Sequence, residues 1–397
     1  LPYDKYAITT NWILKMSRIR YEPCALPPET NALRLEIRDF LNTELSHLKP
    51  SDRANSWSEA DEDFTKKLGA KGWIGMTWPK KYGGQEKTML ERYVVQEELL
   101  AAGAPISLHF IADRQSGPLL MRFASEEVCK DILPKIAKGI CYFCIGMSEP
   151  DTGSDLAAVR TRAERVDGGW LVNGSKIWTS QAHMVHYMIA LFRTNTNTEK
   201  HAGLSQFLVD LRNTKGITIQ PVVNLAGRHD FNQVFFEDVL LPDTALIGRE
   251  DHGWDQVMTE LTFERAGPER YMSSQVLMNE IVRAATQSPS ERAAVEIGKM
   301  VANLASLRQM SLSVAGMQQA GKDPALEGSL IKEIGVAFEQ SIPKTAHDLF
   351  GIEAGLNNGS ELEKTYAMLN MVAPSFSLRG GTREVMRGII AKHMELR

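Results

Sequence analysis

The chain has 397 residues, with 45 Lys and Arg against 49 Asp and Glu, a net charge of −4. That length predicts two or three domains, and a pI of 6.2 argues against the basic face of a dedicated nucleic-acid binder. Hydrophobic residues at 43% exclude disorder of the whole chain, and the longest nearly apolar run, around Met188 to Phe192, falls far short of the ~20 residues of a membrane span.

Residues 1–15 lack the charged start, apolar stretch and cleavage site of a signal peptide and read as an N-terminal extension, with Met16 as a natural start. Residues 16–140 follow helical spacing. Leu90, Val94, Val95, Leu99 and Leu100 share one helix face, and Pro79 with Gly83–Gly84 breaks the pattern into a turn. In residues 141–250 the period shortens. Strands are expected at Trp170–Val172, Tyr187–Phe192, Gln206–Val209, Ile217–Ile219 and Val234–Phe236, with turns at Asp167–Gly169 and Asn173–Gly174. The gaps between these runs are too short for crossover helices, so the sheet is expected to be antiparallel and barrel-like. Helical periodicity returns in residues 251–397, where Ser290–Gly321 and Ala325–Gly351 suit a four-helix bundle. The fold class is therefore mainly α with a central β-domain.

Four cysteines do not make a disulfide scaffold and suit a reducing cytoplasm. Cys141 and Cys144 form a C-x-x-C, but Cys24 and Cys129 lack the spacing of a second zinc pair, so both read as buried strand thiols and no metal is expected. No G-x-G-x-x-G follows a strand, which removes the support for a Rossmann site.

Two segments carry candidate chemistry. Ile145-Gly-Met-Ser-Glu-Pro-Asp-Thr-Gly-Ser-Asp155 offers hydroxyls and backbone N–H groups to a phosphate or a flavin edge, or is a plain turn. In Asn173-Gly-Ser-Lys-Ile-Trp-Thr-Ser-Gln-Ala182 the tryptophan either stacks on a flat ligand or packs in a sheet core. In this order, about 30 residues apart, the two segments resemble the acyl-CoA dehydrogenase family of flavoenzymes. Leu68–Trp73, Pro79–Gly84, Gly117–Leu120, Leu133–Ile136 and Phe236–Pro242 extend the resemblance over nearly the whole chain.

The resemblance implies FAD as cofactor and acyl-CoA as substrate. It places Met147, Ser148, Gly153, Ser154, Trp178, Thr179, Ser180, Thr382 and Glu384 at the cofactor, with Trp178 shielding the flavin and Ser180 near its N5. It places Ser154, Thr262, Arg265 and Gly381 at the substrate. It also implies an electron-transfer flavoprotein as onward acceptor, a role in fatty-acid β-oxidation, and a dimer or tetramer, homo- or hetero-oligomeric. The position before Gly-Thr that holds the catalytic glutamate in most members is Gly380 here, which cannot take a proton. Some branches carry the base on the first long helix of the bundle, where this chain has Glu264. Trp254, Val257, Met258 and Leu261 form an apolar stripe that Glu264 continues, and a carboxylate facing a core is costly unless paired or functional. Pro268 has no N–H for the Glu264 carbonyl and should kink the helix; pairing with Arg265 or Arg270 is the structural alternative.

Three departures from the family pattern stand out. Thr152 replaces a smaller residue before Gly153, no Arg-x-x-Phe-Gly occurs in Gln287–Ala294, and Asp348–Gly351 replaces Gln-x-x-Gly. The combination resembles bacterial branches acting on bulky acyl-CoAs, some as two-gene heterotetramers. Two other readings share the scaffold: an oxygen-using acyl-CoA oxidase or flavin monooxygenase, and a non-catalytic or half-site subunit of a heteromeric dehydrogenase.

Overall fold

The computed structural model describes residues 19–353, 355 and 358–396, with the side chains of 261–264 left outside the description. The described chain divides into two compact units that are not consecutive in sequence: the chain up to Asp39 with Met89–Ala101 and Arg265–Arg397, and Phe40–Thr88 with Ala102–Glu264.

The β-containing unit is built on one eight-stranded sheet: β1 Phe143–Gly146, β2 Arg162–Val166, β3 Gly169–Ser180, β4 Tyr187–Arg193, β5 Leu204–Asp210, β6 Ile217–Val222, β7 Phe231–Pro242 and β8 Leu246–Ile247. The order is β6-β7-β3-β2-β4-β5-β8, with β1 beside β4. Each expected strand is present, but the sheet is mixed: β1 and β2 both pair parallel with β4. The chain leaves β1 through a long loop before entering the β2–β3 hairpin, and that length permits the parallel return that tight turns forbid.

The second expected turn is also corrected. Asp167–Gly168 does close the β2–β3 hairpin, with Val166 opposite Gly169. Asn173–Gly174, however, lies inside β3, where the register against β7 shifts between Val172 and Gly174. Gly174 sits at φ +140, and a Cβ there would fall within 2.8 Å of Thr161; the glycine serves a bulge and a close backbone approach. Trp170, Phe192, Phe207, Val234 and Phe236 fill the core on one face of the sheet.

The same unit carries α1 from Phe40 onward (the whole helix is Thr30–Glu44), α2 Glu62–Ala70, and, beyond α3 Met89–Ala102, α4 Ser107–Ile111, a π-turn at Ala112–Ser116, α5 Gly117–Phe123 and α6 Glu126–Ala137. Asp61 and Ser125 cap α2 and α6 by accepting from Phe64 N and Val128 N. α7, Gly253–Glu264, packs on β5, and Gln206 Nε2 donates to Glu260 at 2.7 Å.

The helical unit contains α8 Gln275–Gln287, α9 Glu291–Gln319, α10 Ala325–Phe350, α11 Glu361–Val372 and α12 Arg383–His393. Ser290 caps α9, and a reciprocal Ser360–Glu363 capping box starts α11. The predicted face of α3 is buried, with Leu90 and Tyr93 packed on Leu312 and Ala315 of α9. Among the described residues no helix is long and apolar enough to cross a membrane.

Candidate active site

The two motif segments meet in the β-containing unit. β1 delivers Met147 and Ser148, after which Glu149 and Thr152 exchange backbone hydrogen bonds of 2.8 and 2.9 Å across a tight turn. Thr152 is buried there, so the larger residue is accommodated inside the turn. Gly153 and Ser154 are exposed, with no atom within 4 Å of a Cβ built on Gly153. Ile177 N donates to Ser148 O at 2.9 Å, fastening β3 to this loop.

A buried ion pair makes the join rigid. Lys176, fully buried, donates from Nζ to Glu149 Oε1 at 2.8 Å and to Met147 O at 3.0 Å. The Glu149 carboxylate also accepts from Arg160 N at 2.7 Å and Thr161 N at 2.9 Å. Burial pushes the Lys176 amine down to about 8, against the opposing pull of Glu149. Burial alone would raise the Glu149 carboxyl, but Lys176 and the two backbone donors hold it below the usual range. Both residues lie within the quoted motifs, yet reading those motifs for ligand contacts misses their mutual role, since Glu149 sits in a polar loop and neither residue carries a local mark of the other.

Two residues beyond Lys176 the register of β3 against β7 slips by one, and this bulge carries Trp178 at φ +61. A non-glycine residue there is strained. The result is an indole 57% exposed on a strand whose neighbours Lys176 and Thr179 are fully buried. Thr179 commits its hydroxyl to Asn232 O at 2.8 Å and its carbonyl to Asn232 Nδ2 at 3.0 Å, and is fully buried. Ser180 is half-buried beside it. An exposed flat ring next to open hydroxyl and amide groups fits a planar, phosphate-bearing cofactor.

α7 ends at Glu264, and Thr262 and Glu264, expected at the site, have side chains outside the described residues. The buried face of α7 is Gly253, Gln256, Val257 and Glu260, whereas Met258 is exposed, correcting its place on the inward stripe. The expected kink at Pro268 is a termination instead: Gly267 is extended, as a residue before proline prefers, and a 3-10 turn follows at Pro268–Arg270.

The helical unit supplies the remaining candidates. Gly380 and Gly381 both lie at positive φ, 69° and 95°, and Thr382 caps α12 by accepting from Val385 N. Lys332 of α10, fully buried, donates to Gly381 O. Arg379 pairs with buried Glu339 at 3.2 Å, while Ser273 N donates to Glu339 at 2.6 Å. Burial lifts the Glu339 carboxyl above its ordinary value, partly offset by Arg379. Glu384 is exposed in the first turn of α12, its carboxyl held low by its own backbone N–H and the Thr382 hydroxyl. Arg265 is buried.

All four cysteines are free thiols, with Cys141 and Cys144 buried as expected. The described residues contain no group of three His, Cys, Asp or Glu able to hold a metal ion.

Three domain models of one family match the chain in order: the acyl-CoA dehydrogenase N-terminal domain over residues 27–140, its middle domain over 144–239 and its C-terminal domain over 251–395. The chain belongs to the acyl-CoA dehydrogenase family, and is an oxidoreductase with FAD as cofactor. Acyl-CoA dehydrogenase IpdE1 of Mycobacterium tuberculosis is 28% identical, over 90% of this chain and 94% of its own length. Among solved structures, the Tcur3481-Tcur3483 steroid ACAD superposes with a TM-score of 0.82 at 25% identity, covering 94% of this chain and 98% of that one. The ChsE4-ChsE5 complex from Mycobacterium tuberculosis gives the same score and coverage at 27% identity.

Proposed function

We propose that this chain dehydrogenates a bulky acyl-CoA across its Cα–Cβ bond, with Glu264 as the base. The observation that carries the reading is the join of the two motif segments by Lys176 and Glu149, which holds the Ser148–Ser154 loop beside the exposed indole of Trp178. Ser148, Gly153, Ser154, Trp178 and Ser180 would hold FAD, and the family resemblance adds Thr382 and Glu384, at the start of α12, to the cofactor contacts. When bound, FAD supplies the two-electron acceptor for the β-hydrogen. Glu264 takes the α-proton, leaving a 2,3-enoyl thioester. Gly380 cannot play this part, and the family branches that carry the base on the first helix of the bundle point to Glu264. An electron-transfer flavoprotein is the proposed onward carrier. Bulk in the substrate is supported by the steroid named for a solved relative.

A half-site role within a hetero-oligomer is the second reading. Gly380, the absent Arg-x-x-Phe-Gly and the paired names of both solved relatives favour it.

Rapid mixing of the FAD-loaded protein with a panel of acyl-CoAs, including steroid side-chain thioesters, tests the proposal. Glu264→Gln should retain FAD and acyl-CoA binding while slowing flavin bleaching ~10²–10⁴-fold. Near-normal bleaching by this variant would refute Glu264 as base and return the role to a partner subunit.

A further inference from the structure

Trp178 is one of two strained residues in a short segment. Gln181, three positions on, also lies in the left-handed region at φ +55. A strained segment persists only where its surroundings over-determine it. Much of that surrounding structure runs through one side chain, Asn232 of β7, which is fully buried opposite Thr179.

Asn232 Nδ2 donates to Thr179 O at 3.0 Å, and Asn232 O accepts from the Thr179 hydroxyl at 2.8 Å. A carbonyl can only accept, so the amide nitrogen must face Thr179 and Oδ1 must face the other way. There it lies 3.2 Å from His183 Nδ1 and 2.7 Å from His229 Nε2. Both imidazoles donate to it, using both of its lone pairs. The two rings stack with centroids 3.9 Å apart and planes 16° from parallel. Gln181 N donates to Asp230 O at 3.0 Å, and Gln181 Nε2 to Ser58 O at 2.8 Å. Phe231, beside Asn232, meets the indole edge-on at 6.0 Å.

We propose that Asn232, braced by the stacked His183–His229 pair, is a positioning residue that holds the Trp178 indole in place for FAD. This rests on Trp178 being the wall of the flavin site. The imidazoles come from the two arms of the site: His183 follows Gln181 in the chain, and His229 lies just before β7, three residues ahead of Asn232. One amide thus ties the exit of the strained segment, the strand opposite it and the bulge that exposes the indole. Loss of the amide frees the segment to relax toward ordinary extended backbone, and the indole moves with it.

A double-mutant cycle on FAD affinity tests this. Apo-protein is titrated with FAD, following flavin fluorescence, and the visible circular dichroism of the bound flavin is recorded. Asn232→Ala should raise Kd about tenfold, the order expected for losing a buried hydrogen-bonded amide. His229→Phe keeps the stack but removes one donor and should raise Kd about threefold. In a Trp178→Ala background both effects should shrink to within about twofold, because the residue they act through is gone. Equal fold-changes in the two backgrounds would overturn the positioning role and leave a purely structural one. If Asn232→Ala does not fold, the His229→Phe cycle decides alone, since that residue is only half-buried. Unchanged FAD affinity in Trp178→Ala itself would instead remove the flavin-wall assignment, a separate failure.

Discussion

Replacing Glu149 with glutamine tests whether the join between the two motif segments rests on one buried charge pair. Lys176 has no solvent access; its ammonium donates to Glu149 Oε1 and the Met147 carbonyl and otherwise lies over the apolar Phe192 ring, 5.6 Å from its centroid. Glu149→Gln keeps the shape but removes the countercharge, and turns an N–H₂ toward a site already filled by the donors of Arg160 and Thr161. Breaking a buried pair on one side costs about 3–5 kcal/mol, because the remaining charge stays desolvated. Lys176→Met removes the charge that burial penalises, and Glu149 keeps two backbone donors, so its cost should be nearer 1–3 kcal/mol. Combining the two should cost less than their sum. For a unit of about two hundred residues each kcal/mol lowers the melting temperature by roughly 2–4 °C, so Glu149→Gln should fall by roughly 6–20 °C. Calorimetry of the apo-protein measures this, and gel filtration measures FAD retention, which should fall in parallel. A Glu149→Gln protein melting within about 1 °C of the parent and retaining FAD would refute the argument that this pair holds the site together.

Rising pH should favour the parent over Lys176→Met between about 8 and 10.5. Across that interval the folded chain has released the Lys176 proton while the unfolded chain still binds it, so folding gains with pH; a difference in melting temperature that stays constant from pH 7 to 10 would contradict this. Glu384→Gln should leave flavin bleaching within about fivefold of the parent, since the proposed mechanism assigns the base role to Glu264 and not to this exposed carboxylate; a loss of a hundredfold or more in stopped-flow traces would reassign it. Val295 and Val301 of α9 are each 50% exposed, and we expect the protein to sediment as a dimer or tetramer through its C-terminal helices. Val301→Lys should shift it to a smaller species, and a parent that sediments as a flavin-loaded monomer would refute the expectation.

Local pattern alone determined much of this protein. The face of α3, the strands around Trp170, Met188 and Phe207 and the long helices α9 and α10 are read from residues within a few positions of one another, because periods of 3.6 and 2 are local properties. The motif segments were legible for the same reason: their residues are contiguous. Tertiary structure decided what depends on partners far along the chain. The parallel seating of β1 and β2 on β4 and the passage of β3 straight through Asn173–Gly174 follow from strand register. Likewise α7 stops at Glu264, where periodicity alone carries the stripe onward, once Gly267 is extended ahead of Pro268. Lys176 with Glu149, and Asn232 with His183, acquire their roles only when segments 27 and 49 residues apart are folded together. A lone polar residue in a strand carries no local mark of the partner that will satisfy it, since burial and hydrogen bonding are settled by the sheet as a whole.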